Sequence, residues 1–166
     1  MKVSANEVLT LAGKAARGGG APPAQAVAFG RAALCHLSAG RDPGDLSDAL
    51  DALPKGAILE IPLALSRLIE AAEGDTAKGL LSVSAPPALL LSYAEAQPFE
   101  VATEDTPSGL KLTLSLTNPN TPPPVARVEL PDAMHAQLND LAQKTLVPES
   151  AASRISGAGA GLTDND

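Results

Sequence analysis

Leu110-Lys111-Leu112-Thr113-Leu114-Ser115-Leu116-Thr117 places a leucine at every second position with a polar residue between. Successive side chains of a β-strand point to opposite faces, so this run is a strand with one buried face. A slip of one residue would turn all four leucines to water, which specifies the register strongly. Residues 125–130 return after the proline-rich connection 118–124 and are expected to pair with it as an antiparallel hairpin. Pro122, Pro123 and Pro124 have no N–H for a ladder, which confines them to the loop. Upstream, Leu80-Leu81-Ser82-Val83 and residues 88–93 read as strands separated by Pro86-Pro87, a short helix being the alternative for the second. Residues 99–103 alternate weakly.

Helical patterns flank this region. Ser4-Ala5-Asn6-Glu7 is a capping box, with Ser4 as N-cap and Glu7 reaching back to it. Behind it Val8, Leu11, Ala12, Ala15 and Ala16 gather on one side of a helical wheel. Gly18-Gly19-Gly20 ends that helix, and Pro22-Pro23 suits the first turn of the next. There Ala26, Gly30, Ala33 and Leu37 share a stripe of small residues that lets another backbone come close, giving an N-terminal αα-hairpin. Asp45 is expected to cap a short helix through Leu53, and Pro62 to open a helix over 63–73 that Gly74 stops. Pro131 starts the last strong helix. Its apolar face is Met134, Leu138, Leu141, Ala142 and Thr145, with Gln137, Asn139, Asp140 and Lys144 toward water. A final helical piece is expected around 150–155, before a tail with three glycines, 157–166.

Helices, then strands, then a helix predict a single α+β domain over residues 1–166. Its parts are an N-terminal helical hairpin, a central antiparallel sheet of four to five strands, an amphipathic C-terminal helix and an extended Gly-rich tail. Residues 1–75 are mainly helical, 79–130 mainly strands, 131–155 helical and 156–166 tail. The face Met134, Leu138, Leu141 and Thr145 is the expected cover for the four leucines.

Composition narrows the function classes. The chain is 45% hydrophobic and 19% charged, which suits a globular core; with two Phe, one Tyr and no Trp, that core is aliphatic. A net charge of −7 and three aromatic residues exclude nucleic acid as a natural partner and disfavour an anionic membrane surface. One cysteine, Cys35, allows no internal disulfide, and residues 1–14 lack a continuous apolar stretch; the expected compartment is the cytoplasm. Residues 57–69 are interrupted by Glu60, Pro62 and Arg67 and are too short to span a bilayer.

The strongest ligand candidate is the turn Lys14, Arg17, Gly18, Gly19 and Gly20. Its N–H groups lie next to a helix N-terminus and two cations could add charge for an anion, though the Gly-Lys-Ser/Thr ending of a nucleotide loop is missing. Cys35 and His36 diverge on a helix, which disfavours a nucleophile–base pair. His135 falls at the edge of an apolar face, and no spacing suits a metal. No Gly-x-Ser-x-Gly elbow is present. Asp42, Asp45, Asp48 and Asp51 recur every three residues and read as a wet acidic face. No catalytic residue, cofactor or metal is implied.

Asn6-Glu7 leading to Lys14-Ala15-Ala16-Arg17-Gly18-Gly19-Gly20, then Gly30-Arg31-Ala32-Ala33, then Ser153-Arg154-Ile155 and the tail 157–166, together resemble a largely alphaproteobacterial family defined only as a domain of unknown function. The likeness spans both ends of the chain. In that family the loop after the first helix often carries aromatic and acidic residues, where this chain has Ala21-Pro22-Pro23-Ala24-Gln25. The resemblance implies no activity. The expected function is a non-catalytic cytoplasmic protein acting through protein contacts, with self-association through the Ala/Gly tail; the alternative is a binder of, or enzyme on, a small anionic metabolite at the Lys14/Arg17 glycine turn.

Overall fold

The computed structural model describes residues 1–121, 125 and 127–146. Its elements are β1 (Lys2–Ser4), α1 (Ala5–Gly18), α2 (Pro23–Ser38), α3 (Pro43–Asp51), α4 (Ala57–Glu70), β2 (Thr76–Leu81), α5 (Pro87–Glu95), β3 (Phe99–Thr106), β4 (Gly109–Pro119), β5 (Arg127–Glu129) and α6 (Asp132–Gln143). The α+β class holds. The final helical piece, the tail and the three prolines lie outside the described residues.

The N-terminal hairpin forms as its pattern requires. Ser4 Oγ accepts from the Glu7 N–H, and Glu7 Oε2 accepts from the Ser4 N–H. Val8, Ala12, Ala15 and Ala16 are buried. Gly30 of α2 lies so close to α1 that a Cβ there would sit 2.5 Å from the Leu9 carbonyl oxygen. Only glycine permits that approach. Likewise a Cβ on Gly18 would fall 1.7 Å from the Leu141 carbonyl oxygen, so α6 seats against the end of α1.

The sheet differs from expectation. The leucine-alternating strand β4 is the centre of a three-stranded antiparallel sheet, order β2-β4-β3, and a second sheet of two strands pairs β1 with β5. A strand has two edges, and β2 and β3 take both edges of β4. The returning segment therefore cannot be its hairpin partner; β5 pairs instead with β1, Val3 opposite Val128, both buried. Neither three-residue strand is long enough to show a period, so the pairing leaves no local mark in the sequence.

Leu110, Leu112 and Leu114 are buried on one face of β4, each burial contributing on the order of 2 kcal/mol. Leu116 is half-buried. Their cover is α5, while α4 lies against β2; α6 packs on α1 and α3. The expected cover by Met134 and Leu138 is thus overturned. Strand β5 is tethered to the start of α1, and α6 begins three residues later, so it lands on the hairpin. Thr145 is exposed, and Gln137 is half-buried, donating to the Asp51 carboxylate at 2.9 Å and accepting from Ser47 Oγ at 2.7 Å.

Two helices also depart from the reading. Residues 88–93 form α5, the helical alternative and not the strand: Pro87 opens its first turn, and an apolar run carries no period that separates helix from strand. Helix α4 begins at Ala57, with Pro62 inside it and Gly56 as N-cap at φ 81°. Helix α3 is capped by Asp42, whose carboxylate accepts from the Gly44 N–H at 2.9 Å. No helix among the described residues is long and apolar enough to cross a membrane.

Candidate functional site

A cleft of about 350 Å³ opens where α2, α4 and α5 meet. Helix α2 contributes Ala24, Gln25, Ala28 and Arg31 to its lining. Helix α4 contributes Pro62, Leu63, Leu65, Ser66 and Ile69. Both sets recur at three- and four-residue spacing, so each is one face of its helix. The third wall is Tyr93 near the end of α5, followed by Ala96, Gln97 and Pro98.

Tyr93 is 1% exposed, and its hydroxyl is buried with no hydrogen-bond partner among the described residues. Buried hydroxyls are nearly always paired, and leaving one unmade costs about 1 to 3 kcal/mol. Burial also pushes the phenol well above its ordinary ionisation range, which keeps it a neutral O–H donor. Its backbone is not in want of partners: the Gln97 side-chain amide donates to the Tyr93 carbonyl at 2.9 Å. Among the described residues the lining carries no carboxylate. Its one charged residue is Arg31, which is exposed and makes no ion pair among the described residues. In a chain of net charge −7, this is a local inversion of sign.

The neighbouring residue, Ser92, is the opposite case. Its Oγ accepts from Arg41 Nη1 at 2.7 Å and lies 2.9 Å from His36 Nδ1 and 2.8 Å from the Ala88 carbonyl oxygen. His36 is fully buried, and its Nε2 is 2.8 Å from the Asp42 carbonyl oxygen. A carbonyl can only accept, so Nε2 carries the proton. Asp45 stands 3.8 Å from the same nitrogen, and Arg41 forks onto Glu95 with two bonds of 2.7 Å. Serine, histidine and aspartate here mimic a nucleophile set in composition only. The Ser92 oxygen is fully engaged by Arg41, His36 and the Ala88 carbonyl, so it is not free to act as a nucleophile. The cluster locks α2, the loop before α3, and α5 together. Asp45 is accordingly half-buried beside His36, whereas Asp42, Asp48 and Asp51 are exposed; the four do not form one wet face.

The glycine turn is built differently from an anion cradle. The Gly19 N–H donates to the Ala15 carbonyl, Gly20 to Arg17 and Ala21 to Ala16, at 2.9, 3.0 and 2.9 Å. These bonds close the end of α1 and use the N–H groups an anion would need. Gly18 faces Leu141, and Gly19 faces Leu53. Lys14 is exposed and lines a separate shallow cleft with Glu7, His135 and Asn139; Arg17 is exposed and does not line it. The five residues are close in space because they are close in sequence, not because a site gathers them.

Cys35 is half-buried, and its thiol is pushed up by burial and then by Glu95, against the pull of Arg41. It therefore remains a thiol at neutral pH, and the buried His36 ring is committed elsewhere. His135 is half-buried, and its neighbour Asn139 bonds to its ring and its carbonyl oxygen.

Tyr93 and Arg31 were not among the residues singled out from sequence. The available signal was the sole tyrosine of the chain, placed just after the apolar run Ala88-Leu89-Leu90-Leu91. Compared with family models, curated proteins and solved structures, the chain matches none.

Proposed function

We propose that this chain is a non-catalytic cytoplasmic binding protein that holds a small organic molecule in the cleft between α2, α4 and α5. One observation carries the reading: a fully buried tyrosine in the cleft wall has a hydroxyl with no partner among the described residues. A ligand acceptor atom would complete it, and the apolar helix faces would hold the rest of the molecule. Among the described residues the lining holds a serine, Ser66, but no histidine, cysteine or carboxylate to activate it, which favours binding over reaction. This places the small-ligand reading ahead of self-association, but moves the site from the glycine turn to Tyr93.

The chain has one tyrosine and no tryptophan, so its intrinsic fluorescence reports on Tyr93 alone. Small organic acids, amides and alcohols titrated into the protein are expected to give, for at least one class, a saturable change in that emission together with a raised melting temperature. Compounds that raise the melting temperature while leaving the tyrosine signal untouched would place binding elsewhere and overturn the reading.

Self-association is a second reading with its own support. Strand β2 is an edge of its sheet among the described residues, and Leu80 on it is 46% exposed. An open edge with an apolar side chain suits pairing with a second copy. Light scattering of the native chain and of Leu80→Lys tests it, and a monomer in both removes it.

A further inference from the structure

We infer that the ligand of the α2–α4–α5 cleft is a small aliphatic carboxylate, its oxygens accepting from the Tyr93 hydroxyl while Arg31 supplies the countercharge. This rests on the reading that Tyr93 lines a ligand site, and adds to it the ligand's charge and body.

Three features select the class. The first is what the buried hydroxyl can offer. A phenol in an apolar wall donates its O–H far more readily than it ionises, so its natural complement is an acceptor. A carboxylate is the strongest such acceptor among small organic groups, and hydrogen bonds to it are about twice as strong as neutral ones.

The second is the sign of the cleft. It has one cation and no carboxylate in its lining. An amine would find no countercharge there, and its burial beside Arg31 would be repulsive. An anion gains from Arg31, whose guanidinium makes no ion pair among the described residues. A phosphate dianion carries two charges, and the lining sets one cation, Arg31, beside the uncharged donors Tyr93, Ser66, Gln25 and Gln97. One negative charge is the better match.

The third is the remaining wall. Ala28, Leu65 and Ile69 present hydrocarbon across the cleft, and Leu63 at its rim is 47% exposed. Such a surface is left wet without an occupant and covers an alkyl chain with one. The volume of about 350 Å³ holds a molecule of this kind with room for its hydration at the mouth.

The test uses three probes that share one body: hexanoate, hexanamide and hexylamine. Each is titrated into the native protein, Arg31→Met and Tyr93→Phe, with binding followed by calorimetry. Both variants keep the hydrocarbon volume of the residue replaced, and their melting curves establish that they fold. Hexanoate is expected to bind the native protein at least about tenfold more tightly than hexanamide, a difference of about 1.4 kcal/mol. Arg31→Met is expected to erase that preference, and Tyr93→Phe to weaken hexanoate and hexanamide alike. If hexanamide binds as well as hexanoate, and Tyr93→Phe weakens both, the carboxylate assignment falls while the cleft survives as a ligand site. Tighter binding of hexylamine, or a preference for hexanoate that persists in Arg31→Met, overturns the assignment as well. If no probe binds with a dependence on Tyr93, both the assignment and the site are overturned.

Discussion

Ser92 and Tyr93 are consecutive residues of α5, both fully buried, both hydroxyl-bearing, and they meet opposite fates. Adjacent residues on a helix point about 100° apart, so Ser92 turns toward α2 and the loop before α3 while Tyr93 is part of the cleft wall. On the first side every polar atom is met: histidine, arginine and a backbone carbonyl converge on one serine oxygen. On the second a hydroxyl has no partner among the described residues. Burial of polar groups is costly in both places. The same helix thus presents a finished network, which serves the fold, and beside it a hydroxyl that no described residue completes.

The largest expected effect comes from breaking the finished side. Ser92→Ala removes the shared oxygen and leaves His36 Nδ1 and an Arg41 N–H without it. We expect a loss of about 3 kcal/mol, read as a lowered urea midpoint with an unchanged slope. Next in size is the alkaline limit of stability. Unfolded, the phenol releases its proton near its ordinary value of 10.0; folded, Tyr93 keeps it because burial raises its ionisation range. The unfolded state then binds fewer protons, so stability falls as pH rises above 10.0. Absorbance of the one tyrosine should show the phenolate appearing together with unfolding, and Tyr93→Phe should remove its share of the decline.

A smaller effect is expected from Glu95→Gln, which weakens the fork from Arg41. The Glu95 side chain is 42% exposed, so solvent screens the pair, and about 0.5 kcal/mol is expected, shrinking further in high salt. Smallest is the capping box. The bond from the Ser4 N–H holds the exposed Glu7 carboxyl below its ordinary 4.5. A depressed folded value contributes stability above 4.5 that is lost as pH falls through the folded value. Glu7→Gln should flatten that acid limb in melting curves taken across the range, with little change at neutral pH.

What could be read from sequence was whatever repeats locally. The leucine alternation of β4, the Ser4/Glu7 cap and the small residues at Gly30 each announce themselves within a few positions; each is found where its pattern puts it, save that Leu116 is only half-buried. The pairing of β1 with β5 could not be read, because it joins segments at opposite ends of the described chain. The cover of the sheet was misassigned for the same reason: that small second sheet decides where α6 lands. The site was less legible still. Lys14, Arg17 and the three glycines look like a ligand loop until their N–H groups are found closing α1. Arg31 and Tyr93 lie 62 positions apart in sequence and share a wall only through the packing of α2 on α5. Ser92 and Tyr93 differ in partners, and partners are a property of the fold.

The most direct measurement of that difference is urea unfolding of Tyr93→Phe without ligand, beside the native chain. An unpartnered hydroxyl predicts a variant as stable as the native protein, or more stable by about 1 kcal/mol, because desolvation of the O–H is removed and no bond is lost. A loss of 1 kcal/mol or more, on the order of one ordinary hydrogen bond, would show that the hydroxyl already has a partner within the chain and would contradict its role as an open donor in the cleft.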